Sequence, residues 1–200
     1  MRRLYLVRHG EAEGGAGQAV GHLDLGLSAA GRRAVAALAA TWQAPPPDRL
    51  FTSDLARSAA SAAILGTAWG LTPRPDARLR ELAFGAWEGR EWQAIHRDDT
   101  ARFAAWGERW WEEATPGGES YGELSRRVVG WYAEAVAAGP PGVTVAVGHG
   151  GPWRALVGEL LGLPRGDVWS WPLEPAWVAA VELPPEGRPR PLFLGRTGFR

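Results

Sequence analysis

Cysteine, lysine and asparagine are all missing from this 200-residue chain. Without cysteine there is no disulfide framework, no thiol nucleophile and no zinc–thiolate site. Without lysine, all 22 basic residues are arginine. A surplus of either charge is missing too, because Asp and Glu also total 22. That balance gives no global pull toward nucleic acid or an anionic membrane, so any anion site must be local. No apolar run approaches the ~18 residues of a membrane span. At the N-terminus only residues 4–7 are apolar before Arg8 interrupts them, short of the ~7–15 residues of a signal-peptide core. The expectation is a cytoplasmic protein. Missing thermolabile side chains and 16 prolines suit a thermophile, although the missing lysine fits GC-rich coding bias equally well.

What remains is ordered in a readable way. The length suits one domain spanning residues 1–200, with a small tryptophan-rich helical cap inserted at about residues 80–118. Residues 4–7 read as a short buried strand and residues 11–26 as a glycine-rich loop. Ser28 is placed to cap a helix reaching about Trp42, with Val35 and Leu38 on one face, and three prolines from Pro45 stop it. Residues 49–52 form a second strand, and Ser53 is placed to cap a second helix ending at Gly70. Residues 72–75 are a brief strand, and residues 80–111 read as irregular. Ser120 and Glu123 make a capping-box pattern before a stripe of Leu124, Val128, Trp131 and Ala135. Residues 143–147 are a strand, Pro152 suits the first turn of the helix after it, and residues 178–183 and 192–194 are late strands. This alternation predicts an α/β fold, a three-layer sandwich with a mainly parallel sheet flanked by helices.

Two strands end on His-Gly: LYLVRHG at residues 4–10 and VAVGHGG at residues 145–151. In such sheets ligands bind beyond the carboxyl ends of the strands, so His9 and His149 are expected to converge. Arg8 adjoins His9, and Gly10 permits a close backbone approach to a ligand. Arg57, four residues after Ser53, is one turn into its predicted helix and leans back over the sheet edge. His149 and Gly150 lead into a helix N-terminus, whose amides favour anions. Guanidinium forks suit phosphate oxygens better than ammonium groups do. Two histidines and a carboxylate could also suggest a metal site, but no closely spaced ligand pair exists and Arg8 adjoins His9, so no metal or cofactor is expected.

LYLVRHGE resembles the signature of the histidine phosphatase superfamily, whose fold is phosphoglycerate-mutase-like. GHLDLGLSAAG (residues 21–31), FTSDLARSAASAA (51–63), ELAFGAWEG (81–89), PGGES (116–120) and VAVGHGG follow in the family's order, so the resemblance covers most of the chain. It implies that His9 is a nucleophile forming a phosphohistidine. It further implies that Arg8, Arg57 and His149 clamp the phosphoryl oxygens, and that Glu81 protonates the leaving oxygen and then activates water. Arginines neutralising the charge agree with what phosphoryl transfer requires. Glu88 is the nearby rival to Glu81. His22 is a candidate substrate contact at the pocket rim, with a plain loop histidine as the alternative, and His96 sits in a charged stretch.

Phosphoglycerate mutases usually carry serine and then a Trp-Asn pair after His-Gly-Glu, whereas Ala12 follows Glu11 here and asparagine is absent. The expectation is therefore a metal-independent phosphomonoesterase. The mutase reading and a non-catalytic phosphate- or phosphoprotein-binding module remain the alternatives. Length, FGAWEG and PGGES are similar to the α-ribazole-5′-phosphate phosphatases and to broad-specificity small-molecule phosphatases. The expected partner is a small phosphorylated metabolite, with neither nucleic acid nor membrane, and a homodimer is left open. Phe103, Trp106 and Trp110, among twelve tryptophans, are read as a seam under the cap or as an aromatic rim for the leaving group.

Overall fold

A computed structural model of the chain describes residues 2–170 and 172–196. The elements in chain order are β1 (Arg2–Arg8), α1 (Ala29–Ala40), β2 (Arg49–Thr52), α2 (Ala56–Trp69), β3 (Arg74–Pro75), α3 (Trp92–Asp98), α4 (Thr100–Glu108), α5 (Tyr121–Tyr132), β4 (Gly142–Gly148), α6 (Gly150–Leu161), β5 (Val178–Leu183) and β6 (Arg190–Arg196). The strands form one sheet in the order β3-β2-β4-β1-β5-β6. Its pairings are parallel from β3 through β1, and β5 runs against both of its neighbours.

The sheet is covered on both faces, and β1 shows why. Side chains alternate across a strand. Leu4 and Leu6 join the core beneath α5 and α6, with Trp131 and Trp153, while Tyr5 and Val7 join the core beneath α1 and α2, with Val35, Leu38 and Leu65. A strand buried on both faces reads as a continuous apolar run, as residues 4–7 do. The expected α/β three-layer architecture is present.

Two predicted caps are present. Ser28 Oγ accepts the Gly31 amide at 2.9 Å to open α1. Ser120 and Glu123 form a reciprocal capping box at α5. The start of α2 differs from expectation. The helix opens at Ala56, with Leu55 as the residue before it. Asp24 from the preceding loop accepts the Ala56 amide at 2.6 Å, and Ser53 is left to another task. Arg57 is thus the second residue of α2 rather than one turn in.

The stretch read as irregular contains α3 and α4. Both fold around a small cluster of Ala19, Trp87 and Ile95, padded by Phe84, Trp92, Phe103 and Trp106. Backbone bonds zip this segment to the loop after β1: Trp92 to Gly17 at 3.0 Å, Ala19 to Arg90 at 3.0 Å and Gly89 to Ala19 at 2.9 Å. The late strand β6 is also longer than predicted, because its Pro/Arg-rich start still pairs with Glu182. Among the described residues, no helix is long and apolar enough to cross a membrane.

Candidate active site

β1 and β4 are parallel neighbours, and Arg8 pairs with Gly148 in their register. The next residue of each strand is therefore a histidine at the same sheet edge. The His9 amide extends the ladder to the Gly148 carbonyl at 2.9 Å. The two rings meet edge to face, with centroids 4.9 Å apart. The paired His-Gly endings converge because adjacent parallel strands stop in step.

His9 is buried, and its Nδ1 lies 2.5 Å from the Gly10 carbonyl oxygen. A carbonyl only accepts, so Nδ1 carries the hydrogen and the lone pair of the neutral ring is on Nε2. Burial lowers the His9 pKa to about 3, and Arg57 and Arg8 push in the same direction. His149 is fully buried and is also held well below the ordinary histidine value, first by burial and then by His9 and Arg57. Both rings are neutral near pH 7.

Arg57 reaches the site from the start of α2 and is 2 % exposed. Its Nη1 donates to the Leu23 carbonyl at 2.7 Å and its Nη2 to the Gly21 carbonyl at 2.8 Å. Arg8 donates from Nη1 to the Leu173 carbonyl at 2.6 Å, while its Nε is buried without a partner. Burial lowers the pKa of both guanidinium groups, and Glu81 is the largest countercharge on each. They remain cations, since arginine does not deprotonate in proteins. His149 Nδ1 is likewise buried without a partner. Orphaned buried donors or acceptors cost ~1–3 kcal/mol each, and they require an explanation.

Glu81 completes the constellation from the opposite wall. Its carboxylate accepts the Gly151 amide at the N-terminus of α6, at 3.1 and 3.3 Å to its two oxygens, and the Leu82 amide at 2.9 Å. A Cβ on Gly151 would collide with that carboxylate. Arg8, His9, Arg57 and Glu81 line one cavity of about 410 Å³, together with Glu11, Ala12, the loop at residues 14–16, Val20 and Pro175. A second cavity of about 320 Å³ shares Arg8, Val20 and Glu81 and adds Phe84, Tyr121, Gly150, Gly151, Arg154 and Trp169.

Two sequence expectations change here, and one open alternative is decided. Gly10 is not part of either cavity wall. A Cβ there would meet the Gly31 backbone at 2.6 Å, so the glycine serves the crossing of α1 rather than a ligand. His22 is not in the walls either. Its Nε2 donates to the Glu81 backbone carbonyl at 2.8 Å. Of the two readings of Phe103, Trp106 and Trp110, the packing seam is the one present. Trp106 packs against Phe84, Trp87 and Trp92, and Trp110 backs Tyr121 and Trp169. The aromatic side chains that reach the second cavity are Phe84, Tyr121 and Trp169. Glu88 accepts the His22 and Phe84 amides at 2.9 and 3.1 Å, which occupies the rival carboxylate structurally.

Sequence reasoning missed Ser53, whose Oγ lies 3.0 Å from His149 Nε2. The signal was a small hydroxyl residue directly after β2, the neighbour of β4. It also missed Arg154, which the zero net charge concealed. Among the described residues, no three His, Asp or Glu side chains are grouped as metal ligands would be.

A family model for the histidine phosphatase superfamily (branch 1) matches residues 4–192. The chain belongs to that superfamily. It is 36 % identical over 183 residues to a glucosyl-3-phosphoglycerate phosphatase of Mycolicibacterium vanbaalenii, covering 86 % of this chain and 79 % of that one. It is 28 % identical to an adenosylcobalamin/alpha-ribazole phosphatase of Salmonella typhimurium, covering 90 % of each. It is 31 % identical to a probable phosphoglycerate mutase of Salmonella paratyphi C, over 82 % of this chain and 77 % of that one. A solved mycobacterial glucosyl-3-phosphoglycerate phosphatase in complex with VO3 superimposes with a TM-score of 0.81 at 34 % identity, covering 91 % of this chain and 93 % of the other. Family membership and these phosphatase relatives make the chain an enzyme of the phosphatase type.

Proposed function

We propose that this member of the superfamily is a metal-independent phosphomonoesterase acting on a small phosphorylated metabolite through a phosphohistidine. The observation that carries this reading is His9. It is neutral, its hydrogen is fixed on Nδ1 by the Gly10 carbonyl, and it shares one cavity with Arg8, Arg57 and Glu81. His9 Nε2 attacks phosphorus and forms an N–P bond as the P–O bond to the leaving group breaks. The Glu81 carboxyl gives its proton to the departing oxygen. Water then attacks phosphorus, Glu81 takes its proton, and the N–P bond breaks to release phosphate. Arg8 and Arg57 balance the phosphoryl charge, the main catalytic demand in this chemistry. Ser53 Oγ engages His149 Nε2 at 3.0 Å, and with the hydroxyl as the donor the Nδ1 hydrogen of His149 is left for a phosphoryl oxygen.

The leaving group would occupy the second cavity. The aromatic surfaces of Phe84, Tyr121 and Trp169 support a nucleoside-like leaving group such as that of α-ribazole 5′-phosphate. Arg154 supports a second reading. Its guanidinium stands beside the Trp169 ring, 5.6 Å from the centroid, and suits a carboxylate, as in the compound for which the mycobacterial relatives are named. Ala12 and the missing asparagine speak against the mutase reading.

Quenched-flow labelling tests the mechanism. Labelled substrate should leave an acid-labile phosphoenzyme that His9→Ala cannot form. Near-normal turnover by that variant would end the nucleophile assignment. In a substrate panel, efficient interconversion of 2- and 3-phosphoglycerate would establish the mutase instead, and failure to release phosphate from any monoester would point to the binding module.

A further inference from the structure

Residues 81–84 belong to no helix or strand, so no backbone ladder holds Glu81 over the pocket. Side chains from distant elements hold it instead. Arg127, on α5, donates from Nη2 to the Glu81 carbonyl at 2.8 Å. His22 Nε2 donates to the same oxygen at 2.8 Å. A carbonyl oxygen has two lone pairs, and both are engaged. Arg127 is itself braced. Its Nε and Nη2 grip Glu119 at 3.0 and 2.6 Å, and its Nη1 donates to the Arg78 carbonyl at 2.7 Å. Glu119 in turn accepts the Ala83 amide at 3.0 Å, and its own amide donates to the Ala83 carbonyl at 3.0 Å. One ion pair thus fixes the chain on both sides of the acid, with only about a fifth of each partner's side chain exposed.

The consequence follows from peptide geometry. The Glu81 carbonyl and the Leu82 N–H belong to one planar unit and point in opposite directions. Pinning the carbonyl therefore aims the N–H, and that N–H donates to the Glu81 carboxylate at 2.9 Å. A cationic donor on the carbonyl also polarises the peptide and strengthens its N–H as a donor. The Gly151 amide holds the carboxylate from the other side at 3.1 Å.

We propose that Arg127, braced by Glu119, is a positioning residue for Glu81: it sets the acid's peptide plane and so the place of its carboxylate over the phosphoryl site. The inference rests on Glu81 being the acid of the reading above. Arg127 lines neither cavity, so its route to the reaction runs through Glu81.

The test uses Arg127→Met, Arg127→Lys and Glu119→Gln, each alone and combined with Glu81→Gln. The readout is the ratio of kcat on an alkyl phosphate, glycerol 2-phosphate, to kcat on p-nitrophenyl phosphate. An alkyl leaving group needs protonation and p-nitrophenolate hardly does, so the ratio reports the acid, whose full contribution is typically ~10²–10⁴-fold. Arg127→Met should lower the ratio by about tenfold, since misplacing the acid forfeits part of that range. Glu119→Gln should lower it less, and Arg127→Lys should recover part of the loss. In the Glu81→Gln background none should lower it further, because no acid remains to be placed. Equal losses on both substrates, or the same further loss without Glu81, would overturn the proposal and leave Arg127 a packing residue. A Glu81→Gln enzyme with an unchanged ratio would instead sink the acid assignment itself. If Arg127→Met does not fold, the ratios of Arg127→Lys and Glu119→Gln decide between positioning and packing in the same way.

Discussion

Replacing Gly151 with alanine perturbs Glu81, the proposed acid, without removing an ionisable group. Gly151 is in the first turn of α6, where alanine is better tolerated than glycine by up to ~1 kcal/mol. The added Cβ would clash with a Glu81 oxygen and sit 3.4 Å from Leu124 Cδ1. The oxygen is the end of a flexible side chain, so the carboxylate yields rather than the helix. It must withdraw by about 1 Å, and a displacement of that size can cost ~10²-fold in rate. Retreat also breaks the bond from the Gly151 amide, worth ~1.5–3 kcal/mol when the acceptor is charged. Helix propensity offsets part of this, so the net change is a loss of about 1–2 kcal/mol. At this chain length 1 kcal/mol shifts Tm by roughly 2–4 °C. The expected outcome is a Tm lower by a few degrees, kcat on glycerol 2-phosphate lower by about 10²-fold, and a much smaller loss on p-nitrophenyl phosphate. Steady-state kinetics on both substrates with a melting curve give the answer. Unchanged alkyl phosphate turnover would refute Glu81 as an acid working from this position. A Tm drop beyond about 10 °C would refute the premise that the clash stays local.

Arg57→Lys should fail to restore the clamp, because one ammonium cannot hold the Leu23 and Gly21 carbonyls and a phosphoryl oxygen together; vanadate inhibition should weaken at least tenfold, and unchanged inhibition would remove Arg57 from the site. His9 has its pKa lowered in the fold, so between its ordinary value near 6.5 and about 3 the unfolded chain binds the extra proton. Stability should be fully present above pH 6.5 and be lost as pH falls through that window, and His9→Gln should flatten the slope of Tm against pH; an equal slope in wild type and variant would contradict a buried neutral ring. Trp106→Ala should lower Tm while changing kcat/KM alike across substrates, whereas Trp169→Ala should change kcat/KM selectively with the leaving group; the reverse pattern would restore Trp106 to the rim.

The parts of this fold and site that were legible in the sequence are those written within a few residues. The apolar run of β1, the Ser28 cap and the Ser120/Glu123 box each depend on neighbours three or four positions apart, and all three are present. The convergence of His9 and His149 was legible for a different reason. A parallel sheet of consecutive strand–helix units forces their carboxyl ends to one edge. What was hidden depends on long-range closure. Asp24, not Ser53, receives the first amide of α2 from 32 residues away. His22 reaches the Glu81 carbonyl across 59 residues and Arg127 reaches it across 46. Nothing in the local pattern separates such residues from ordinary loop and helix charges. The tryptophans stayed open between seam and rim for a related reason, since large aromatic side chains suit a pocket wall and a small satellite core equally well until packing decides.

The balanced charge of the chain is the sharpest case of composition hiding function. Equal counts of acids and bases leave no net field, yet Arg8, Arg57 and Arg154 stand around one pair of cavities with Glu81 on their wall. Elsewhere the charges cancel in pairs such as Arg80–Asp54 and Arg127–Glu119. The two cavities keep three arginines against Glu11 and Glu81. Burying guanidinium groups and imidazoles there is unfavourable, and the unpartnered Arg8 Nε and His149 Nδ1 show that the protein alone does not satisfy them. In the mechanism proposed above, a dianionic phosphoryl group supplies what they lack, with oxygens to accept their hydrogens and charge to balance the arginines. In that mechanism the charge is held in the same geometry as phosphorus passes between the leaving oxygen, His9 and water, so the groups that are unfavourable to bury are the ones proposed to lower the barrier.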